Sequence, residues 1–420
     1  MVRAGSGSGN PLMQTAGETL ADVRARPSRL SALSGAAYSG MFVCGLMCAV
    51  LGALLPLLSR RLTFSLGETG TLFLVMNFSM LVSSLVLGVA MDRFGMKAPL
   101  AAGSLSVAAA LFMLARAGEF AMLLPAVVCL GIGGGALNGG TNTLVADLHL
   151  EPRRKSSALN LLGVFFGFGA LFLPLSLGTL LTHAGVDGLL YGTAILCAAA
   201  GCFALMLRYP APKQPTKLPL AEMRRYARTP MVLTMAFLLF FESGNEFVLG
   251  GYFTTFLTRS LSVSVQSASY ALAALWFSMM LARVVLSRLL LRFNGHAVIL
   301  VCGLFAATGA ALVGLSGGVF PAVAGIVLAG LALAGVFPTT LGIAGSEFRD
   351  HSGTVFGILF TVSLMGGMLM PWVSGQLAQQ WGVRWVFALA ATNFLAVVVM
   401  NELTRRIRSR KTAKLPINAE

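Results

Sequence analysis

The sequence predicts an all-α membrane protein with twelve transmembrane helices in two pseudo-symmetric six-helix bundles. Three observations carry this reading. The 420 residues are 56% hydrophobic and only 11% charged, against about 25% charged in soluble domains. Such a chain cannot clothe a water-facing surface of its own size, so the bilayer is its solvent. Apolar runs of roughly 19–28 residues recur twelve times, each long enough for a hydrocarbon core of about 30 Å. Finally, motifs in the first half return in the second at nearly one spacing. The spans must be helical, because lipid offers no partner to backbone N–H and C=O groups.

In chain order, residues 1–31 form a polar tail containing GSGSGN and ETLADVRARPSR, read as a cytoplasmic segment rather than a cleavable signal. Spans 1 to 6 are expected at 32–58, 69–91, 98–116, 120–146, 157–183 and 187–208, giving a first bundle over 32–208. A linker over 209–229 carries four prolines and five basic residues and separates the bundles. Spans 7 to 12 follow at 230–258, 266–290, 297–316, 320–346, 353–380 and 385–404, a second bundle over 230–404. A basic tail, 405–420, closes the chain.

The halves are related by repeated residues. A shift of 199 carries Arg93 onto Arg292, Phe94 onto Phe293 and Thr141 onto Thr340. A shift of 197 carries Pro174 onto Pro371, Gly178 onto Gly375 and Gly185 onto Gly382. Their common order along the chain argues for a duplicated six-helix unit, with a cavity between the copies near the membrane midplane.

The net charge of +15 does not require nucleic acid. Of 30 Lys and Arg residues, Arg60, Arg61, Arg116, Arg259 and Arg384 fall on one side and Arg283 lies within a span; the other 24 fall on the opposite side. That asymmetry places both termini in the cytoplasm, with the basic face meeting anionic lipid head groups. An inner or plasma membrane protein of monomeric size is expected. The six cysteines lie in apolar segments without metal-ligand spacing and read as small hydrophobes. His149, His183, His296 and His351 fall near span ends and read as interfacial.

Span 7 contains FFESGNEFVLGG, 240–251, with Glu242 and Glu246 one helical turn apart on one face. An acid at a helix centre costs about 2.5–3.5 kcal/mol on insertion scales. Low dielectric and like charge both oppose ionisation of such a pair. A group that is neutral for part of the time is what a proton carrier needs, and Glu246 is the expected coupling residue with Glu242 beside it. Arg283 in span 8 is the expected charge partner. In span 4, GIGGGALNGGTNTLVAD over 131–147 offers Asn138 and Asn142 on one face, with Thr141 beside them. These, with Asn77, Asn245, Trp276 and Phe337, are the expected substrate contacts. The glycine run equally serves close helix packing, and it is no phosphate loop, since no strand precedes it and no Lys-Ser/Thr follows.

The end of span 2, GVAMDRFGMK, resembles the loop 2–3 signature of the major facilitator superfamily. Gly88, Asp92, Arg93, Gly95 and Lys97 match in place, whereas the second-half copy has Leu291 where Asp92 stands. The resemblance spans 32–404 and implies alternating access, with Asp92 in a one-sided conformational latch. Gly244-Asn-Glu246 and Gly250-Gly251-Tyr252 look like the pattern of the fucose–galactose–glucose:proton symporter-like branch. Trp276 and Ala282-Arg283 look like it too, although the branch's usual Gly before the Arg is Ala here. That branch implies a sugar-like solute.

No Walker motif, hydrolase constellation or metal set supports an enzyme, and no cofactor is expected beyond a coupling proton or sodium ion. The expectation is therefore a secondary transporter, foremost a proton-coupled symporter of a small polar solute. A proton-driven exporter of amphipathic or hydrophobic compounds and a sodium-coupled symporter are the alternative readings, with a non-transporting receptor behind them.

Overall fold

The computed structural model describes residues 26–149, 151–210, 220–289, 292–348 and 351–413. Twelve helices are assigned: α1 Pro27–Leu62, α2 Leu66–Phe94, α3 Lys97–Arg116, α4 Phe120–Leu148, α5 Pro152–Met206, α6 Leu220–Ala227, α7 Pro230–Ser260, α8 Val265–Leu289, α9 Gly295–Leu315, α10 Val319–Glu347, α11 Ser352–Trp381 and α12 Arg384–Ala413. Eleven of them are long and apolar enough to cross a membrane. The exception, α6, lies within the linker segment.

The count of twelve passes comes from α5. Its 55 residues would reach about 80 Å if straight, more than twice a hydrocarbon core of about 30 Å. Instead the chain breaks at Gly185, with φ 65° and ψ 175°, a conformation open essentially to glycine alone. Its repeat mate Gly382, with φ 97° and ψ 158°, ends α11 in the same way. The paired glycines thus mark where spans 5 and 11 turn back. Gly95, with φ 84°, stops α2 and donates its N–H to Met91 O at 2.9 Å, which explains the second glycine of the loop 2–3 motif.

The two halves repeat their packing as well as their residues. Helix α1 packs on α5, and α2 and α3 on α4; correspondingly α7 packs on α11, and α8 and α9 on α10. The halves meet along α2 with α11, α5 with α8, and α1 with α7. Small residues set these crossings. A Cβ on Gly52 would fall 1.9 Å from Gly250 O, where α1 meets α7. A Cβ on Gly169 would fall 1.8 Å from Phe42 O, and one on Gly366 would fall 1.9 Å from Phe240 O. These two crossings are copies, since Phe42 and Phe240 are 198 apart and Gly169 and Gly366 are 197 apart. In lipid, where apolar packing has no hydrophobic drive, such close backbone approach is what holds helices together. The GIGGG run behaves likewise: its glycines let α4 approach Met76 and Met80 of α2 and Gly103 of α3.

Call the end carrying the linker the linker end and the opposite one the distal end. Contacts between halves are dense at the distal end. Gly67 N donates to Gln379 Oε1 at 2.9 Å, Thr254 Oγ1 donates to Gly52 O, and the Phe73 and Tyr252 rings lie 5.9 Å apart. Repeat mates Gly178 and Gly375 serve equivalent junctions, the first against Tyr270 of α8 and the second against Leu66 and Gly70 of α2. The contacts between halves run down to Gly163 and Arg283, where Arg283 Nη1 donates to Gly163 O at 3.3 Å.

Several expectations shift at the ends. Helix α1 begins at Pro27, ahead of residue 32, and α12 continues to Ala413, past residue 404. His296 is not interfacial but buried: its Nδ1 lies 2.9 Å from Asn401 Oδ1, while Asn401 Nδ2 donates to His296 O at 2.9 Å. Two neighbouring helices, α9 and α12, are clamped by that reciprocal pair. His351 stands beside α6, 5.2 Å from the Tyr226 ring and 3.8 Å from Glu222 Oε1.

Candidate functional site

The candidate site lies where α7 faces α1 and α8. Glu242 and Glu246 sit near the middle of the 31-residue α7. Glu242 is 1% exposed and its Oε2 has no hydrogen-bond partner. Glu246 is half-buried. On α1, which packs against α7, Cys48 is half-buried, and Cys44 Sγ donates to Gly134 O of α4 at 3.8 Å. Arg283 of α8 acts electrostatically on both carboxylates.

The expected direct pairing of Arg283 with a glutamate is not what the structure shows. Among the described residues Arg283 makes no ion pair within 4.0 Å. Its Nη1 instead reaches the Gly163 carbonyl of α5 in the other half. The guanidinium carbon stands 5.8 Å over the Phe166 ring, a cation–π contact. Its Nε is buried without a partner. Trp276 meets the same Phe166 ring edge-on at 6.4 Å, and its Nε1 is likewise buried without a partner. Arg283 and Trp276 are two turns apart on α8, so they lie on one face.

The amide residues divide. Asn138 and Asn142 are half-buried and bonded to each other, Asn142 Nδ2 donating to Asn138 O at 2.8 Å and to Oδ1 at 3.2 Å. Among the described residues the Asn138 amide donates no hydrogen bond. Asn77 lies on the α2–α11 junction; its Nδ2 donates to Phe73 O at 3.0 Å and its Oδ1, without a partner, faces Gly367. Asn245 departs from the expected substrate contact. It is fully buried, donates to Ala390 O at 3.0 Å and accepts from Asn393 Nδ2 at 3.2 Å. Its amide ties α7 to α12. Thr141 also departs: fully buried, its hydroxyl lies 3.5 Å from Met41 Sδ and packs α4 on α1. The Phe337 ring lies 5.7 Å from that of Phe360, tilted by 36°, between α10 and α11.

Of the latch residues, Arg93 is exposed and its guanidinium carbon stands 5.4 Å from the Phe94 ring. Lys97 is exposed at the start of α3. Gly88 and Asp92 fall within α2, but their surroundings lie outside the described residues, as does Leu291.

One pairing was not drawn from the sequence. A shift of 198 carries Cys44 and Cys48 onto Glu242 and Glu246, and Gly52 onto Gly250. The acids and their repeat mates thus lie at equivalent places on α7 and α1, two helices that pack on each other. The signal was present as a spacing but hidden by residue type, since a thiol and a carboxylate do not look alike.

Two bundles related by duplication, joined at a junction holding unpaired acids and a base, define a membrane transporter. The model of the Major Facilitator Superfamily matches residues 37–243 and 235–419, one match for each half, and the chain belongs to that superfamily. It is 24% identical over 363 residues to the uncharacterized MFS-type transporter YfkL of Bacillus subtilis, covering 83% of this chain and 90% of that protein. Among solved structures, the nucleoside transporter NupG superposes with TM-score 0.74 at 16% identity, over 89% of this chain and 99% of that one. A bacterial homologue of the human lysosomal transporter Spinster gives 0.68 at 17% identity, over 90% and 96% of the two chains. The fucose:proton symporter of E. coli gives 0.64 at 16% identity, over 88% and 98%. At these identities the likeness is one of fold.

Proposed function

We propose that this transporter works by alternating access as a proton-coupled symporter of a small polar solute. The observation that carries the reading is the pair Glu242 and Glu246 at the junction between the halves, neither in an ion pair within 4.0 Å among the described residues, with Glu242 Oε2 buried without a hydrogen-bond partner. A carboxylate buried without a counter-ion is costly, and a proton removes that cost while the loaded carrier rearranges. Glu246, half-buried, is the group that exchanges its proton with water, and Glu242 is its buried neighbour. The Asn138 amide is the open polar contact for a hydroxylated solute. By the positive-inside asymmetry the linker end faces the cytoplasm, so closure at the distal end corresponds to an inward-facing state. An exporter of hydrophobic compounds fits less well, because the junction leaves Glu242 Oε2, Arg283 Nε and Trp276 Nε1 all seeking polar partners.

The test is uptake in proteoliposomes with imposed proton or sodium gradients, using hexoses and nucleosides as the first solutes. Accumulation driven by an inward proton gradient, and lost in Glu246→Gln, is the expected result. Accumulation driven by sodium alone, or unchanged in the variant, contradicts the assignment.

A further inference from the structure

Building on the symport reading, we infer that the solute carries an anionic group, and that Arg283 receives it beside Phe166. The donors at this place outnumber their uses. Arg283 offers five N–H groups; one meets the Gly163 carbonyl at 3.3 Å, and the buried Nε has no partner. Trp276 Nε1, across the same Phe166 ring, is a second buried donor without a partner. Leaving such buried donors without acceptors is costly, the more so for a charged one. A carboxylate or other oxyanion supplies acceptors matched to the planar fork of an arginine. The protein does not fill the place with its own acid, even though two stand within electrostatic reach.

This position links anion to proton. Among the described residues, the titratable groups within electrostatic reach of the glutamates are Cys48 on α1 and Arg283 on α8. Arg283 is the positive charge that favours their ionised forms. An anion seated on it cancels that charge, so both acids hold protons more readily while the solute is bound. By reciprocity a proton on the pair tightens the anion to the same degree. The Gly163 contact crosses between the halves, so the anion also occupies a place whose geometry changes as α5 and α8 move apart.

The experiment uses the full-length purified protein and pairs of acids with neutral twins: gluconate with glucose, lactate with lactamide, and benzoate with benzamide. Thermal stabilisation and proton uptake in weakly buffered solution are read together. At least one acid is expected to raise the melting temperature while its twin does not, and binding is expected to take up protons. Arg283→Gln should weaken that acid at least about tenfold, the loss of one charge-assisted contact. Should the Gln variant fold poorly, Arg283→Lys keeps the charge without the fork and should bind the acid measurably more weakly than the parent. A neutral twin that binds as well as its acid, an acid whose affinity survives in the variants, or a panel in which no acid binds overturns the inference. The two readings fail separately. Proton-driven accumulation of a neutral solute leaves symport standing and removes the anionic group. Arg283-dependent acid binding without proton uptake leaves the anion site and removes the coupling.

Discussion

Glu242 and Asn245 lie three residues apart on one helix, close enough to share a side of it, and yet they do different work. Glu242 presents an oxygen without a partner toward the junction, whereas Asn245 spends its amide on Ala390 and Asn393. The sequence made both legible as polar groups in an apolar span but not which way they point. Face is decided by packing, and 240–251 is apolar on every side. Asn245→Ala should therefore act on stability, costing about 1–3 kcal/mol as Asn393 and the Ala390 carbonyl lose their partner. Thermal unfolding in detergent checks this, with solute affinity unchanged in the folded fraction; a selective loss of affinity would return Asn245 to the substrate site. Glu246→Asp, by contrast, keeps the charge and should retain coupling with a weakened affinity.

Elements are held by backbone proximity rather than by large side chains. Where Gly52 meets Gly250, any Cβ collides with a carbonyl, and overpacking of this kind costs about 1–3 kcal/mol. Gly52→Ala should lower the melting temperature and loosen the contact of α1 with α7, read as faster reaction of Cys48 with a thiol reagent. An unchanged Cys48 rate would show that the crossing does not set the junction. Gly185→Ala and Gly382→Ala should each destabilise by about 1–3 kcal/mol, since both hold a conformation that Cβ opposes. The spacing repeat foretold that these two glycines correspond, because a turn imposes the same backbone demand in both copies. It did not reveal the correspondence of Cys44 and Cys48 with Glu242 and Glu246, because function has changed the residue types there while packing kept the register.

For the whole molecule, twelve passes, the duplication and the linker were readable from apolar run lengths and charge. The state of the transporter was not, because both inward- and outward-facing forms obey the same hydropathy. Distal closure rests on contacts such as Gly67 with Gln379. A disulfide between Gly67→Cys and Gln379→Cys should form in the closed form and arrest transport, with activity restored by reductant; full activity while cross-linked would show that this end does not open. The account as a whole turns on whether a proton visits the acids of α7 when solute crosses. Its most direct test is to add a transported solute to proteoliposomes in weakly buffered medium and follow the external pH. Parent protein should alkalinise the medium in step with uptake, and Glu246→Gln should move solute, if at all, with no pH change. Solute entry without alkalinisation in the parent, or alkalinisation that survives in the variant, would contradict the claim.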